Sequence, residues 1–353
     1  MIDTKEFVKK LVENGYTHLC VVPCSFAKNL INEAINNEFI EYVPSASEAV
    51  AVSIAAGLKV AGKSPIVIVQ SSGLTNMGSC ITSMLKPYNI TFPIITSWRT
   101  YKEGDSEVQH KHLATELPKL IEAYGYENQI LNQDSLEEII SQINKSNNSF
   151  IINILKKDTF SKVELKDEFK IDLSKYPKRS EYLKLLNKKY KNSEIVFIGT
   201  TGNTAREMYS FMKETNNFYM VGNMGGALSL GLGMAKAGKK VFVLGGDAEF
   251  VMHMGGLVTA GRYKNEINLN YILFDNESNK STGGQATYQN HISYLGIAKN
   301  SGLNTIDKTI TQIDDFNQIL DNLKNGLNFI YVKCDYDETT PRPPVEVVTI
   351  NKV

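Results

Sequence analysis

The sequence predicts an α/β protein of two doubly wound domains, each built on a parallel sheet. Short apolar runs rich in Val and Ile recur along the chain, and segments with helical spacing separate them. Strands alternating with helices of that size argue βαβ units and parallel pairing. The rhythm breaks once, between Lys156 and about Lys178, and then restarts. A length of 353 residues suits about two domains of ordinary size.

In the first half, Asp3-x-x-Glu6 opens a helix in capping-box fashion, with Phe7, Leu11 and Val12 on one face before Gly15 stops it. Strand-like runs follow at 18–22, 65–69 and 91–96, with helices near 26–37, 47–61 and 74–86. A strand near 128–131, a helix near 135–145 and the run SFIINIL (149–155) complete a domain over 1–156. The stretch 157–178 is charged, lacks sustained periodicity and contains a proline, so it reads as a surface linker. Across 179–353 the alternation resumes: a helix from 180, strands at 194–199 and 218–222 with a helix near 204–214 between them, a helix at 226–237, and a strand at 240–244. Another strand at 270–274, the segment HISYLGIAKNSG, a helix near 312–324 and a strand at 329–334 finish the chain. The two halves suggest duplicated architecture without a sequence repeat.

Basic and acidic residues balance, 38 against 38, so no overall field favours nucleic acid or an anionic membrane. With no signal-like start and no apolar run long enough to span a bilayer, a soluble cytoplasmic protein is expected. Cys20, Cys24, Cys80 and Cys334 are scattered, and Cys20 with Cys24 lacks a second ligand pair for zinc, so they read as reduced thiols.

The richest stretch runs from Gly245 to Gln285. A strand ends in Gly245-Gly246-Asp247, a helix-compatible segment follows, and the next strand ends in Asp275-Asn276. Parallel strands place these carboxyl ends at one sheet edge, where open α/β sheets bind ligands. A hard divalent cation wants oxygen ligands: one or two carboxylates, waters and phosphate oxygens. Asp247, the Asn276 side-chain carbonyl and a main-chain carbonyl at Ser278 supply such a set. A diphosphate on that metal would meet N–H groups near Ala248, at the next helix N-terminus. Taken alone, Asp247 reads more plainly as a cap for that helix.

The whole pattern resembles the signature of thiamine diphosphate enzymes, which begins Gly-Asp-Gly and ends Asn-Asn. Ser281-Thr282-Gly283-Gly284-Gln285, directly after it, is similar to the phosphonopyruvate and sulfopyruvate decarboxylase group. Ala248 replaces the usual third Gly, and Glu277 stands where these relatives generally carry Gly. The resemblance implies the thiamine diphosphate-binding fold, with a pyrimidine-binding domain at 1–156 and a diphosphate-binding domain at 179–353. It implies thiamine diphosphate and Mg²⁺ as cofactors. It also implies a homodimer or larger assembly, with the cofactor between the pyrimidine domain of one subunit and the diphosphate domain of another.

Loss of CO₂ from a 2-oxo acid leaves an electron pair that the thiazolium ring accommodates, and a carboxyl group must hold the pyrimidine in its reactive form. Glu48 is the candidate: a charge entering an almost wholly apolar helix, AVSIAAGLKVAGK, that resembles the family's pyrimidine-domain helix. Its plainer role is a first-turn carboxylate favoured by the helix dipole. Met224, in Gly222-Asn223-Met224-Gly225-Gly226, occupies the position that supports the bent cofactor in relatives, and the Gly222 carbonyl is placed for the amino group. A core Met beneath a glycine-rich turn is the alternative. Thr200 and Thr201 suit the diphosphate; a helix cap by Asn203 or Thr204 is the plainer role of this loop, and the two are compatible. Gly246, Ala248 and Glu249 complete the cofactor set.

For substrate, Pro23-Cys24-Ser25-Phe26, Gln70-Ser71-Ser72-Gly73-Leu74, Trp98-Arg99 and Gln109-His110 resemble blocks of phosphonopyruvate decarboxylases, in the same order. Arg99 offers a forked donor to an anionic head, Ser25 and Ser72 offer hydroxyls, and His110 suits proton relay. The alternatives are that Arg99 pairs with Glu103 or Asp105, and that His110 with His112 forms a polar loop pair. The reading is decarboxylation of 3-phosphonopyruvate, with 3-sulfopyruvate, another 2-oxo acid, a carboligation or a non-catalytic binding module as alternatives. A Rossmann oxidoreductase is disfavoured, because Gly231-x-Gly233 lacks the rest of the Gly-x-Gly-x-x-Gly turn.

Overall fold

In the computed structural model, residues 1–101, 110–288 and 290–336 are described. The chain divides into two compact units: Met1–Lys170 with Asn279–Gln285, and Ile171–Ser278 with Ala286–Val353. Lys280 thus lies in a segment that belongs to the first unit.

The first unit carries β1 (His18–Val21), β2 (Glu41–Pro44), β3 (Pro65–Gln70), β4 (Ile94–Ser97), β5 (Glu127–Ile130) and β6 (Ile151–Leu155). They form one sheet in the order β2-β1-β3-β4-β6-β5, and every pairing is parallel. The second unit carries β7 (Val196–Gly199), β8 (Asn216–Tyr219), β9 (Lys240–Gly246) and β10 (Asn268–Asp275). A small hairpin of β11 (Ser278–Asn279) and β12 (Gln285–Ala286) precedes its last strands, β13 (Asn304–Thr305) and β14 (Leu327–Lys333). The second sheet runs β13-β14-β10-β9-β7-β8, again all parallel. Numbered within its own unit and read from the other edge, that order is 2-1-3-4-6-5, the same as in the first. The expected duplication therefore exists at the level of topology. In both sheets the strand order reverses between the first and third strands, the position where doubly wound sheets open a crevice at their carboxyl ends.

The predicted strands are present, and Asp3 caps the first helix, Thr4–Glu13, by accepting the Glu6 N–H at 2.9 Å. Several features differ from expectation. β2 was not foreseen, being an edge strand of partly exposed residues without clean alternation. The helix expected at 74–86 is broken into Gly73–Asn76, Gly78–Cys80 and a π turn at Ile81–Leu85. His110, expected in a loop, precedes the helix Lys111–Ala123, which accommodates Pro118 in its interior. The stretch expected as a surface linker is partly stitched down: Asn29, Asn32 and Asn36 donate to the carbonyls of Phe160, Val163 and Glu164. Among the described residues, no helix is long and apolar enough to cross a membrane.

Each unit buries its own apolar core, Phe7, Leu11, Leu19 and Ile66 among others in the first, Tyr182, Phe197, Phe274 and Phe316 in the second. Beside the second core lies a charged pair. Arg179 Nε and Nη2 donate to Glu207 at 2.7 and 2.8 Å, with the two residues 4% and 0% exposed. Forked geometry satisfies both ions where water cannot, so removing one partner leaves a buried charge uncompensated. Glu207→Gln should cost about 3–5 kcal/mol in urea unfolding, and Arg179→Met combined with Glu207→Leu should recover most of that loss. A loss below about 1 kcal/mol for the single change would contradict this account.

Candidate active site

In the second unit the strand-order reversal falls between β7 and β9, and the predicted cofactor residues gather at that edge. The Thr200 N–H donates to the Leu244 carbonyl at 3.0 Å, which extends the pairing of these strands one residue beyond β7. Thr201 Oγ1 donates to the Val221 carbonyl at 3.0 Å, tying this loop to the one that carries Gly222 and Met224. Thr200 is 3% exposed, and its hydroxyl has no protein partner. An unpaired buried hydroxyl costs free energy, so it marks a place where an oxygen-rich ligand would be welcome.

Asp247 begins a helix of Asp247–Met252 and is 3% exposed. Its Oδ1 accepts the Ala248 N–H at 3.0 Å and its Oδ2 accepts the Thr287 hydroxyl at 2.5 Å. Asp247 is thus the first helical residue, after Gly246 at the N-cap position, and its carboxylate does not cap the helix in the usual way. Burial, and then the neighbouring carboxyl of Asp275, push Asp247 up to about 8. Two buried acids within hydrogen-bonding reach repel when ionised, and a cation between or beside them removes that penalty.

Asp275, at the end of β10, is fully buried. It accepts the Glu277 N–H at 2.8 Å, the Lys333 ammonium at 2.8 Å and the Tyr331 hydroxyl. Asn276 and Ser278, next along the chain, are 6% and 7% exposed. Among the described residues no group of three or more His, Cys, Asp or Glu could hold a metal, so any cation here relies on amide and carbonyl oxygens as well as carboxylate.

Glu249 turns inward: Tyr271 Oη donates to it at 2.8 Å, and the Ala227 and Gly246 N–H groups face it. Burial pushes it up to about 7. It braces the Asp247 loop and the start of helix Ala227–Lys236, just beyond Met224. The turn before that helix closes with the Gly226 N–H on the Asn223 carbonyl at 3.0 Å. Asn223 sits at φ +56°, Gly225 at +88°, and a Cβ on Gly225 would strike the His253 ring.

In the first unit the same reversal falls between β1 and β3. Ser25 follows β1, Gln70 ends β3 and Ser72 follows it, and Arg99 lies just past β4. Arg99 is 7% exposed, donates to the Ser25 hydroxyl and lies 4.4 Å above the Phe26 ring. Gln70 Nε2 is 3.0 Å from Ser72 Oγ and 3.1 Å from His110 Nε2. With the Gln70 amide as donor, His110 accepts through Nε2. Glu103, Asp105 and Gln109 lie outside the described residues.

Glu48 heads helix Glu48–Val60 and is 5% exposed, so it is not the solvated carboxylate of the plainer reading. Asn76 Nδ2 donates to its Oε2 at 2.9 Å. A Cβ on Gly73 would come within 2.5 Å of Glu48 Oε1 and 2.6 Å of its Cγ. Gln70, Gly73 and Asn76 were absent from the sequence-derived site set. Gln70 and Gly73 lay inside the block that resembles phosphonopyruvate decarboxylases without being assigned a role, and Asn76 carried no signal, because its partner Glu48 is distant in sequence.

Comparison with known proteins fits this layout. Residues 4–117 match the profile "Thiamine pyrophosphate enzyme, N-terminal TPP binding domain", and residues 198–334 match its C-terminal TPP binding domain. Sulfopyruvate decarboxylase subunit beta of Methanocaldococcus jannaschii is 36% identical over 168 residues, 47% of this chain and 86% of that one. The chain belongs to the thiamine pyrophosphate enzyme family. Phosphonopyruvate decarboxylase of Streptomyces viridochromogenes is 28% identical to this thiamine pyrophosphate enzyme over 340 residues, 91% of this chain and 85% of that one. Sulfopyruvate decarboxylase of Methanosarcina acetivorans is 26% identical over 307 residues, 80% and 78% of the two chains. This thiamine pyrophosphate enzyme is accordingly a decarboxylase of the phosphonopyruvate and sulfopyruvate type, a carbon–carbon lyase.

Gly73→Ala tests whether the Glu48 carboxylate must lie where it does. The new methyl should displace Glu48 and cut turnover about a hundredfold, the usual penalty of a misplacement near 1 Å. Gly57→Ala is the control: nothing lies near its Cβ, so activity should stay level and helix stability rise by about 0.5–1 kcal/mol. Equal activity in the Gly73 variant and wild type would refute the requirement.

Proposed function

We propose that the chain catalyses thiamine diphosphate- and Mg²⁺-dependent decarboxylation of 3-phosphonopyruvate to phosphonoacetaldehyde and CO₂. The observation that carries the substrate is the likeness to phosphonopyruvate decarboxylase over 91% of this chain. One-chain organisation does not decide it, since the Methanosarcina sulfopyruvate decarboxylase also aligns across both halves of this chain. The second reading, 3-sulfopyruvate, draws on the 36% identity to the Methanocaldococcus subunit.

The residues present fit the cofactor and its metal. Thr200 and Thr201 would bind the diphosphate with the N–H groups around Gly246 and Ala248, Thr200 through its partnerless hydroxyl. Asp247, Asn276 and the Ser278 carbonyl would hold Mg²⁺, whose charge relieves the Asp247–Asp275 repulsion. Glu249 would keep that loop and the Met224 turn in register, while Met224 and the Gly222 carbonyl would support the pyrimidine side. Thiamine diphosphate, when bound, supplies the cationic sink for the electron pair left as CO₂ departs. Glu48 would hold the pyrimidine in its reactive form, with Asn76 fixing the angle of its carboxylate. Arg99, set by Ser25 and Phe26, would pair with the anionic head of the substrate, and Ser72 would add a hydroxyl contact. His110, oriented by Gln70, would return a proton after CO₂ leaves. Four free cysteines suit a reducing compartment, and the cytoplasm is the proposed location.

CO₂ release measured side by side on the two oxo acids tests the substrate. The phosphonate should lead by at least about tenfold in kcat/KM, and a lead for the sulfonate would reverse the assignment. Glu48→Gln should lose about 10²–10⁴ in kcat on either substrate. Self-association is tested by mixing two inactive variants, Glu48→Gln and Asp247→Asn, after reversible dissociation. If Glu48 and Asp247 serving one cofactor come from different subunits, mixed dimers contain one intact site and activity returns. No return after subunit exchange is verified would argue that each chain builds its own site.

A further inference from the structure

Glu277 is one of six described non-glycine residues with positive φ, and the other five are Asn89, Thr100, Asp158, Asn192 and Asn223. Asn and Asp visit that left-handed region readily, whereas a longer side chain has no local hydrogen bond to offset the cost. At φ +55°, Glu277 is held by three contacts. Its N–H donates to Asp275 Oδ1 at 2.8 Å, its carbonyl accepts the Thr287 N–H at 3.0 Å, and its carboxylate pairs with Lys333. Lys333 ends β14, directly opposite Asp275 in the register, and its side chain is only 12% exposed. The same ammonium donates to Asp275 Oδ2. One largely buried cation is therefore shared by two carboxylates.

We infer that Glu277 is a positioning residue for the cation site: it shares the Lys333 ammonium with Asp275, so that this positive charge beside the acidic pair is offset by a second carboxylate, and it shapes the turn that carries Asn276 and Ser278. This rests on the proposed Mg²⁺ site. With Glu277 uncharged, Asp275 alone opposes the Lys333 ammonium, and the net charge that meets the incoming divalent ion rises by one. Coulomb repulsion over that short, poorly screened distance lowers affinity.

The test is calorimetric titration of Mg²⁺ into the metal-free chain with thiamine diphosphate present, together with melting of the metal-free protein. Glu277→Gln should weaken Mg²⁺ binding about tenfold. Glu277→Gly should weaken it similarly while leaving the metal-free midpoint level or higher, because glycine suits the left-handed backbone. A purely structural role predicts the opposite, a lowered midpoint in both variants. Adding Lys333→Met to Glu277→Gln should bring Mg²⁺ affinity back to within about threefold of wild type, since the added net charge is gone. Unchanged affinity in Glu277→Gln, or no recovery in the double variant, overturns the inference while wild-type binding leaves the cation site standing. Failure of the wild-type chain to bind Mg²⁺ overturns both.

Discussion

The second unit is organised around an unfavourable contact, two acidic side chains buried side by side at the ends of adjacent parallel strands. Neither Asp247 nor Asp275 is more than 3% exposed, and their proximity together with burial keeps Asp247 far above the ordinary carboxylate range. Such a pair is costly in a metal-free fold and persists because neighbours on every side satisfy it. Thr287 and the Ala248 N–H serve Asp247; Tyr331, Lys333 and the Glu277 N–H serve Asp275. Sheet topology makes the contact unavoidable, because β9 and β10 pair in parallel and deliver both acids to one edge.

The first unit repeats the topology and reverses the chemistry. Its edge carries Arg99, His110 and a concentration of hydroxyls, with the Oγ atoms of Ser71, Thr96 and Ser97 buried without protein partners. Under the proposed reading, hydroxyls without partners among the described residues and a buried guanidinium at one sheet edge suit an oxyanion, whose donors must be in place before it arrives. Glu48 has its own partner, Asn76, and lies in the space that Gly73 leaves. One strand order thus presents acid where a metal is expected and donors where an anionic substrate is expected, a reminder that chemistry resides in the loops.

Much of this was legible because parallel strands buried on both faces are near-continuous apolar runs, and β1, β3, β6, β9 and β10 read as such. β2 did not, since an edge strand with half-exposed residues has no strong pattern to show. Pro118 hid the helix Lys111–Ala123, because proline inside a helix is normally a break. Asp247 and Asn276 were visible through spacing, while Lys333, Asn76 and Gln70 were not, because their importance lies in partners brought close only by the fold. Glu249 shows the limit in another way: its position in the motif pointed toward the cofactor, whereas its carboxylate faces Tyr271.

Glu277 was the departure that left the substrate most open, since a carboxylate free to enter the active site would oppose an anionic substrate. Its charge is instead engaged by Lys333, within reach of Asp275. An ion pair of that kind contributes little net field at a distance, because its two charges largely cancel beyond their own separation. Discrimination between a phosphonate and a sulfonate then falls to groups that would touch the head directly. The two heads differ chiefly in charge and in their capacity to carry a proton, so a lone guanidinium supplemented by hydroxyls separates them less sharply than two cations would. Arg99 with Ser25 is such an arrangement among the described residues, and, if it meets the head as proposed, its chemistry favours modest discrimination over strict exclusion.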